Sequence, residues 1–482
     1  MSGYLFVRGA SGKMNGYMVF VLIACLAGCR QSTPLNTQRI ELELPAVWSV
    51  GASSQPANKE WWRSFGSPEI EQWVQDALSH NHDLQIAATR LERARTEARM
   101  AAFVSRPKLD VSVSGEKRQS SFIGLPFGGS GISRSRYESY GTSAGMNWEM
   151  DLWGRIRAGH SIARTEAKVA KYELEAARLS IVAQAVRLWV QLAEAQIQER
   201  LAGESVLLLE QTLLQVKLRL NAGRGNALNV QQTRANLSEA KSTVVQWRIR
   251  SERLARSMEL LAGQTPSGVK IATTELSHLP SLPSGVPAGI PAELLTRRAD
   301  IVAALARIHA ANLSIAEADA GLLPRVGLTS SVGTSSDELK GLLSGDSLIW
   351  SIGGSLSQTI LFPDEQQARL NSRSLKAEEA VLSYRQKIMA ALHEVETALN
   401  AGSLLSVQRR HNNVAVENAQ KVMALTDQRF ELGLVNAATL LDAQRRLLIS
   451  RSALISVRRA ELENRIDLHL ALGGKISVED AP

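Results

Sequence analysis

Cysteine is almost missing. The 482 residues hold two, Cys25 and Cys29, both near the start, so the rest of the chain has no disulfide framework and no cysteine metal site. Proline is missing over long distances: none lies between Pro126 and Pro266, and none between Pro363 and Pro482. Aromatic residues are 5% of the chain, low for a large globular core. No P-loop, GxSxG elbow, HExxH or CxxC pair occurs, and the eight histidines are scattered. His80 and His82 are close, but they sit at a helix-end turn without a nearby ligand partner. These absences argue against an enzyme and against a nucleotide-driven machine. The net charge is +8. Lys and Arg are spread among Glu and Asp without a basic run of five, as on solvated helix faces rather than a nucleic-acid footprint.

What fills the proline gaps is helix former. Arg155 to Gly223 is rich in Ala, Leu, Glu, Gln and Arg, with only Gly159 and Gly203 inside it. At about 1.5 Å per residue such a helix would span roughly 95 to 100 Å, too long for one compact globule. Asp364 to Gly433 forms a second rod of the same kind. In it Val381, Tyr384, Ile388, Leu392, Val395 and Leu399 step by three or four, one apolar face for packing on neighbours. Two such rods read as a conduit.

The chain is two copies of one plan. Asp83 and Asp300 are 217 positions apart, as are Pro107 and Pro324. Gly223 with Asn226 corresponds to Gly433 with Asn436, and Leu152-Trp153 to Leu361-Phe362. Each copy reads helix, strand, strand, long helix, turn, second helix. Asp83 and Asp300 are expected as N-caps; Pro107 and Pro324 end their helices and mark the helix-to-strand junctions. Leu109, Val111 and Val113 then alternate with Asp110, Ser112 and Ser114. Tyr140 to Met150 alternates likewise, as do Val326 to Val332 and Trp350 to Ile360. Such strands fit a membrane β-barrel with lipid outside and water inside; a soluble β-sandwich would show a similar pattern. Four strands cannot close a barrel, so several chains must share one. Strand arithmetic permits a dimer or a trimer. The tips, Gln119 to Arg136 and Ser336 to Ser347, read as flexible exterior loops.

At the N-terminus Lys13 precedes an apolar run ending in Leu26-Ala27-Gly28-Cys29, a short h-region followed by what looks like a lipoprotein box. A plain secretory signal is the alternative. Acyl chains on Cys29 would contribute about 0.8 kcal/mol per buried methylene. A polar strap with Pro34, Pro45 and Pro56 follows. Trp61, Trp62 and Phe65 then form a packing plug ahead of a short helix from Pro68 to about Ser79. At the far ends of the rods, Arg219 to Asn226 and Arg429 to Asn436 read as tight helical hairpins, with Gly223 and Gly433 as left-handed caps.

On the Cys29 box, the Trp61-Trp62-x-x-Phe65 entry, the Pro291-to-Ile301 segment, Phe430-x-x-Gly433 and Leu441-Asp442-Ala443-Gln444-Arg445, the chain resembles the outer-membrane factor family of tripartite efflux and secretion systems, in its TolC-, OprM- and NodT-like lipoprotein branch. Ala299 departs from it, standing where the family has proline. The resemblance covers Cys29 to about Gly474. It implies a mainly α protein with a membrane β part: a trimeric 12-stranded outer-membrane β-barrel continuous with a long periplasmic α-helical barrel. The domains expected are a signal peptide 1–28, a lipid-anchored strap 29–67, and a first repeat 68–265 (hairpin 108–150, helices 155–220 and 227–261). An equatorial linker 266–298, a second repeat 299–474 (hairpin 325–361, helices 364–431 and 437–472) and a tail 475–482 follow. The implied partners are a homotrimer, outer-membrane lipid, a periplasmic membrane-fusion adaptor docking on Arg219, Gly223, Asn226, Arg429, Gly433 and Asn436, and an inner-membrane pump of RND or similar type. No cofactor is implied beyond covalent lipid on Cys29, and no nucleic acid. Asp442 and Arg445 fall on the periplasmic gate; an ordinary intrahelical ion pair is the other reading. The function implied is an efflux duct for drugs or other small molecules. A type I secretion or oligosaccharide export duct and a periplasmic coiled-coil scaffold lipoprotein are the alternatives.

Overall fold

The computed structural model describes residues 44–49, 60–122, 133–266, 279–282, 289–358 and 363–473. The signal segment with Cys29, most of the strap, the hairpin tip 123–132, residues 359–362 and the 475–482 tail lie outside the described residues. The chain divides into two compact units. One is built on Ser105–Gly159 and Ala311–Ala377, the other on Ile40–Val104, His160–Ala310 and Glu378–Pro482.

The first unit holds the strands. β1 (Lys108–Phe122), β2 (Ser133–Met150), β3 (Arg325–Ser336) and β4 (Leu348–Ser357) form one antiparallel sheet in sequence order. Register decides its faces. Val111 lies opposite Ala144, Ala144 opposite Val332, and Val332 opposite Trp350. Because side chains alternate, one face of all four strands carries Leu109, Val113, Met146, Trp148, Leu328, Ile352 and Leu356 as well. This face is bare in the single chain: Val113 is 78% exposed and Ile352 79%. The opposite face is small and hydroxylated, with Ser112 Oγ 2.8 Å from Ser143 Oγ and Ser331 Oγ 2.8 Å from Ser351 Oγ. Among the described residues β1 and β4 each pair on one side only.

The first hairpin is longer than its alternation suggests. Its ladder runs on to Phe122↔Ser133, into the stretch expected as loop. Lys, Arg, Gln and Ser occupy both faces there, so the period-two signal disappears while backbone pairing continues. The second tip is also ordered by hydrogen bonds. It makes single turns at Leu339–Leu343 and Gly345–Ser347, with Ser344 Oγ and Ser347 Oγ donating to the Gly341 carbonyl at 2.7 and 2.8 Å. The landmark offset falls from 217 at the junction prolines to 210 at Gly223 and Gly433, which puts the extra residues of copy one between these landmarks, the stretch that contains its longer hairpin.

Among the described residues there are seven helices of eight residues or more: α1 (Pro68–His80), α2 (His82–Phe103), α3 (Arg155–Asn221), α4 (Ala227–Leu261), α5 (Ala299–Ala320), α6 (Pro363–Glu431) and α7 (Ala437–Leu472). α3 and α6 are unbroken over 67 and 69 residues. Two capping expectations are corrected. Asn81, not Asp83, caps α2, its side chain accepting from Leu84 N at 2.9 Å; Asp83 sits inside the first turn. Asp300 likewise lies within the first turn of α5, accepting from Ile301 N at 2.9 Å. The guanidinium of Arg298 forks onto both Asp300 oxygens at 3.0 and 2.9 Å and donates to the Ala471 carbonyl at 2.9 Å. That clamp holds the start of α5 beside Ala299. The helices before Pro107 and Pro324 end at Phe103 and Ala320, and the strands start right after the prolines. The Pro324 carbonyl accepts from Trp153 Nε1 at 2.7 Å, tying the junctions of the two copies together.

α5 is apolar enough to cross a membrane by length and composition. It buries Ile301, Ala304 and Ile308 with Tyr384 and Ile388 of α6 in a core cluster, as an interior helix does. A second cluster packs Trp61, Trp62 and Phe65 with Ile70 and Val74 of α1, Val186 and Trp189 of α3, and Leu462 and Ile466 of α7. The plug is keyed by a flat stack of Trp61 on His469, 4.9 Å between centroids. Burial there, helped by the charge of Arg465, lowers the His469 pKa to about 4. Trp48 docks beside Leu294 and Ile301, its Nε1 donating to the Gly289 carbonyl at 3.0 Å.

α3 and α7 meet along a polar seam. Gln191 donates to Glu463 at 2.6 Å, Arg459 pairs with Glu194 at 2.8 Å, Gln198 donates to the Ser452 carbonyl at 3.1 Å, and Gln444 donates to Thr212 at 3.0 Å. Arg187 and Asp467 extend the row. Glu194 and Gln198 are both 2% exposed. Burial works against charge on Arg459, and Glu194 with Glu463 outweighs it, leaving its pKa raised.

Candidate functional site: the helical hairpins and the charged face of α7

Both hairpins are built by the same backbone device. Gly223 at φ +70° and Gly433 at φ +75° turn the chain out of α3 and α6. Arg224 N donates to the Arg219 carbonyl at 2.9 Å, and Leu434 N to the Arg429 carbonyl at 2.8 Å, closing the helix ends. Asn226 and Asn436 then cap the returning helices, accepting from Leu228 N and Thr439 N, each at 2.9 Å. These four residues are turn and cap residues in the structure.

The paired arginines part company. Arg219 lies over the Phe430 ring, 3.8 Å from its centroid, and donates to the Phe430 carbonyl. Phe430 is 1% exposed and anchors a cluster with Val216, Val230, Ala437 and Leu440. Arg219 therefore joins one hairpin to the other. Arg429 is exposed. The second tip also exposes Leu432 and Leu434, at 75% and 70%, which the sequence reading did not single out.

α7 leaves the second hairpin with two faces. Leu440, Leu441, Ala443 and Gln444 are buried; Ala438, Thr439, Arg445, Arg446 and Ile449 are exposed, and Asp442 lies half-buried in line with them. Asp442 and Arg445 are brought together at 2.9 Å, and a third residue joins them: Arg446 Nε donates to the other carboxylate oxygen at 2.7 Å. Hydrogen bonds from Arg446 and then Arg445 hold the Asp442 carboxyl below its ordinary range. Arg446 was legible, because i,i+3 and i,i+4 residues share a helix face. Within one chain the fork is intrahelical. It places two guanidinium groups around one carboxylate on a single turn of this face.

A sheet with one lipid-type face and one hydroxylated face, joined to antiparallel helix pairs that end in capped hairpins, defines a subunit of a membrane channel. The profile of the outer membrane efflux protein family matches residues 73–263 and again 290–474, and the chain belongs to that family. The pyoverdine export outer membrane protein OpmQ of Pseudomonas aeruginosa is 26% identical over 94% of this chain and 96% of its own length. The solvent efflux pump outer membrane protein SrpC of Pseudomonas putida is 30% identical over 97% of this chain and 99% of its own. The solved outer-membrane channel OprN superposes with a TM-score of 0.81 at 26% identity, covering 89% of this chain and 97% of that one. The protein is an outer-membrane channel component of an efflux system. The scaffold reading gives way to this one.

Proposed function

We propose that three copies join edge to edge into a 12-stranded barrel, anchored by lipid on Cys29, and that their helices line a periplasmic duct for small organic molecules. The observation that carries this is the continuous apolar face across four strands whose outer edges are unpaired among the described residues. A bare apolar face of this size does not persist in water, and an open edge does not persist in lipid unless identical sheets close a ring. The other face is mostly Ser, Thr and Gly, with Asp110, Glu149 and Arg325 among them, and suits cargo of mixed polarity. Relatives named for pyoverdine export and for solvent efflux support that cargo class. A periplasmic adaptor engages the exposed parts of the two hairpins, and an RND-type inner-membrane pump supplies the energy. Asp442, Arg445 and Arg446 narrow the periplasmic mouth.

The test is the full-length protein purified in mild detergent. The expected result is a particle of three chains that gives discrete currents in planar bilayers. A stable single chain without current would overturn the reading.

A further inference from the structure

The first β-hairpin outgrows the apolar band. On the lipid-type face that band runs along β2 from Met150 to Tyr140, with Trp148 near one end and the Tyr140 ring covering Gly115 at the other. Ten residues of tilted strand are about one hydrocarbon thickness. Beyond Tyr140 the ladder continues without change of register, and the same face changes character at once. It presents Lys117 paired with Glu138, then Gln119 opposite Arg136, then Ser121 opposite Arg134. Arg136 Nε donates to Gln119 at 3.0 Å, and Lys117 is bonded to Glu138. Both arginines are exposed. Residues 123–132 add no charge. The outward face of the extension thus carries three cations against one carboxylate. The inward face balances Glu116 against Arg118.

We propose that Arg134 and Arg136 form a docking surface for the phosphate groups of the outer-leaflet glycolipid. This rests on the reading of the apolar face as lipid-facing. Two features select the partner. The cations continue the lipid-contacting face itself, at the second and third same-face positions past Tyr140, where head groups lie. Their charge is also complementary to phosphate, which a guanidinium binds through paired donors. β3 and β4 end near the band, so the surface belongs to the first repeat alone and recurs once per chain around a closed barrel. The contact fixes the barrel's height in the leaflet and orders glycolipid around it.

The experiment uses the full-length protein extracted from outer membranes in mild detergent, with lipopolysaccharide and its dephosphorylated form as probes and native mass spectrometry as the readout. Wild type retains the phosphorylated form. Arg134→Gln with Arg136→Gln lowers retention at least about five-fold, and Arg134→Lys with Arg136→Lys restores most of it. Lys117 and Glu138 are left in place to hold the strands, and conductance in neutral-lipid bilayers stays at the wild-type value. Equal retention by the Gln variant, or equal retention of the dephosphorylated lipid by wild type, overturns the proposal while the channel reading stands. Failure of wild type to conduct in neutral bilayers would remove both.

Discussion

The two repeats use one backbone and two chemistries. At an offset of 210 positions Gly223 matches Gly433, Asn226 matches Asn436, and Gly263 matches Gly473, all four glycines having positive φ. The side chains between these landmarks diverge. Leu220 in the first copy is Phe430 in the second, Gln232 is Asp442, Ala235 is Arg445, Asn236 is Arg446, and Glu259 is His469. The first copy therefore has a polar, glycine-rich tip and no charged fork. The second has the buried anchor, the exposed leucines and the fork. Duplication kept what turns and caps require, and let the side chains between them diverge.

Four measurements would break or sharpen this contrast. Phe430→Ala empties the centre of the inter-hairpin cluster and should cost about 3–5 kcal/mol in thermal or denaturant unfolding, against distinctly less for Leu220→Ala, whose side chain is half-buried; equal losses would mean that the copies share the anchor. The second contrast is His469 against Glu259. Glu259 is buried with Arg256 bonded to both oxygens at 2.7 Å, whereas His469 is held neutral with its pKa lowered to about 4. The unfolded chain takes up that proton near the ordinary histidine value, so stability falls as pH drops from about 6.5 to about 4 and then levels off, by roughly 3 kcal/mol in all. His469→Phe, which keeps the stack, should flatten a melting-temperature profile over that window.

Third, Arg219→Ala removes a ring contact and a hydrogen bond, for about 1–2 kcal/mol. Arg429→Ala should change stability by less than about 0.5 kcal/mol and weaken adaptor capture; the reverse order would exchange the two roles. The smallest effect on folding is at the fork. Asp442 lies below its ordinary pKa, so its favourable interaction is complete at neutral pH and is lost only as pH falls through the depressed value. Replacing Asp442, Arg445 and Arg446 with alanine should leave the melting temperature in place and raise single-channel conductance. Unchanged conductance would take these residues out of the gate.

Most of the architecture was legible because it follows from backbone restrictions. Proline-free stretches produced α3 and α6, alternation produced the sheet faces, and Gly followed three residues later by Asn produced the hairpins. What escaped notice was of three kinds. Polar residues on both faces hid the pairing from Glu116 to Phe122, since alternation reports burial and not hydrogen bonding. Asn81 lost out to Asp83 because both are cap formers within three residues and only φ and ψ separate them. Contacts between distant helices, such as Arg219 on Phe430 or Glu194 with Arg459, leave no periodic trace. The fork lay between these cases: its spacing was visible, and Arg446 was as close as Arg445.

The α3–α7 seam has a mechanical consequence. Each polar group on α3 finds its partner at one height only, while alanine and leucine contacts elsewhere are interchangeable from turn to turn. Shifting α7 along α3 by one turn, about 5.4 Å, would strand Glu194 and Gln198 opposite the wrong groups together. Rolling one helix over the other lengthens those bonds gradually. The seam therefore resists travel of α7 along α3 and yields more readily to the two helices leaning apart.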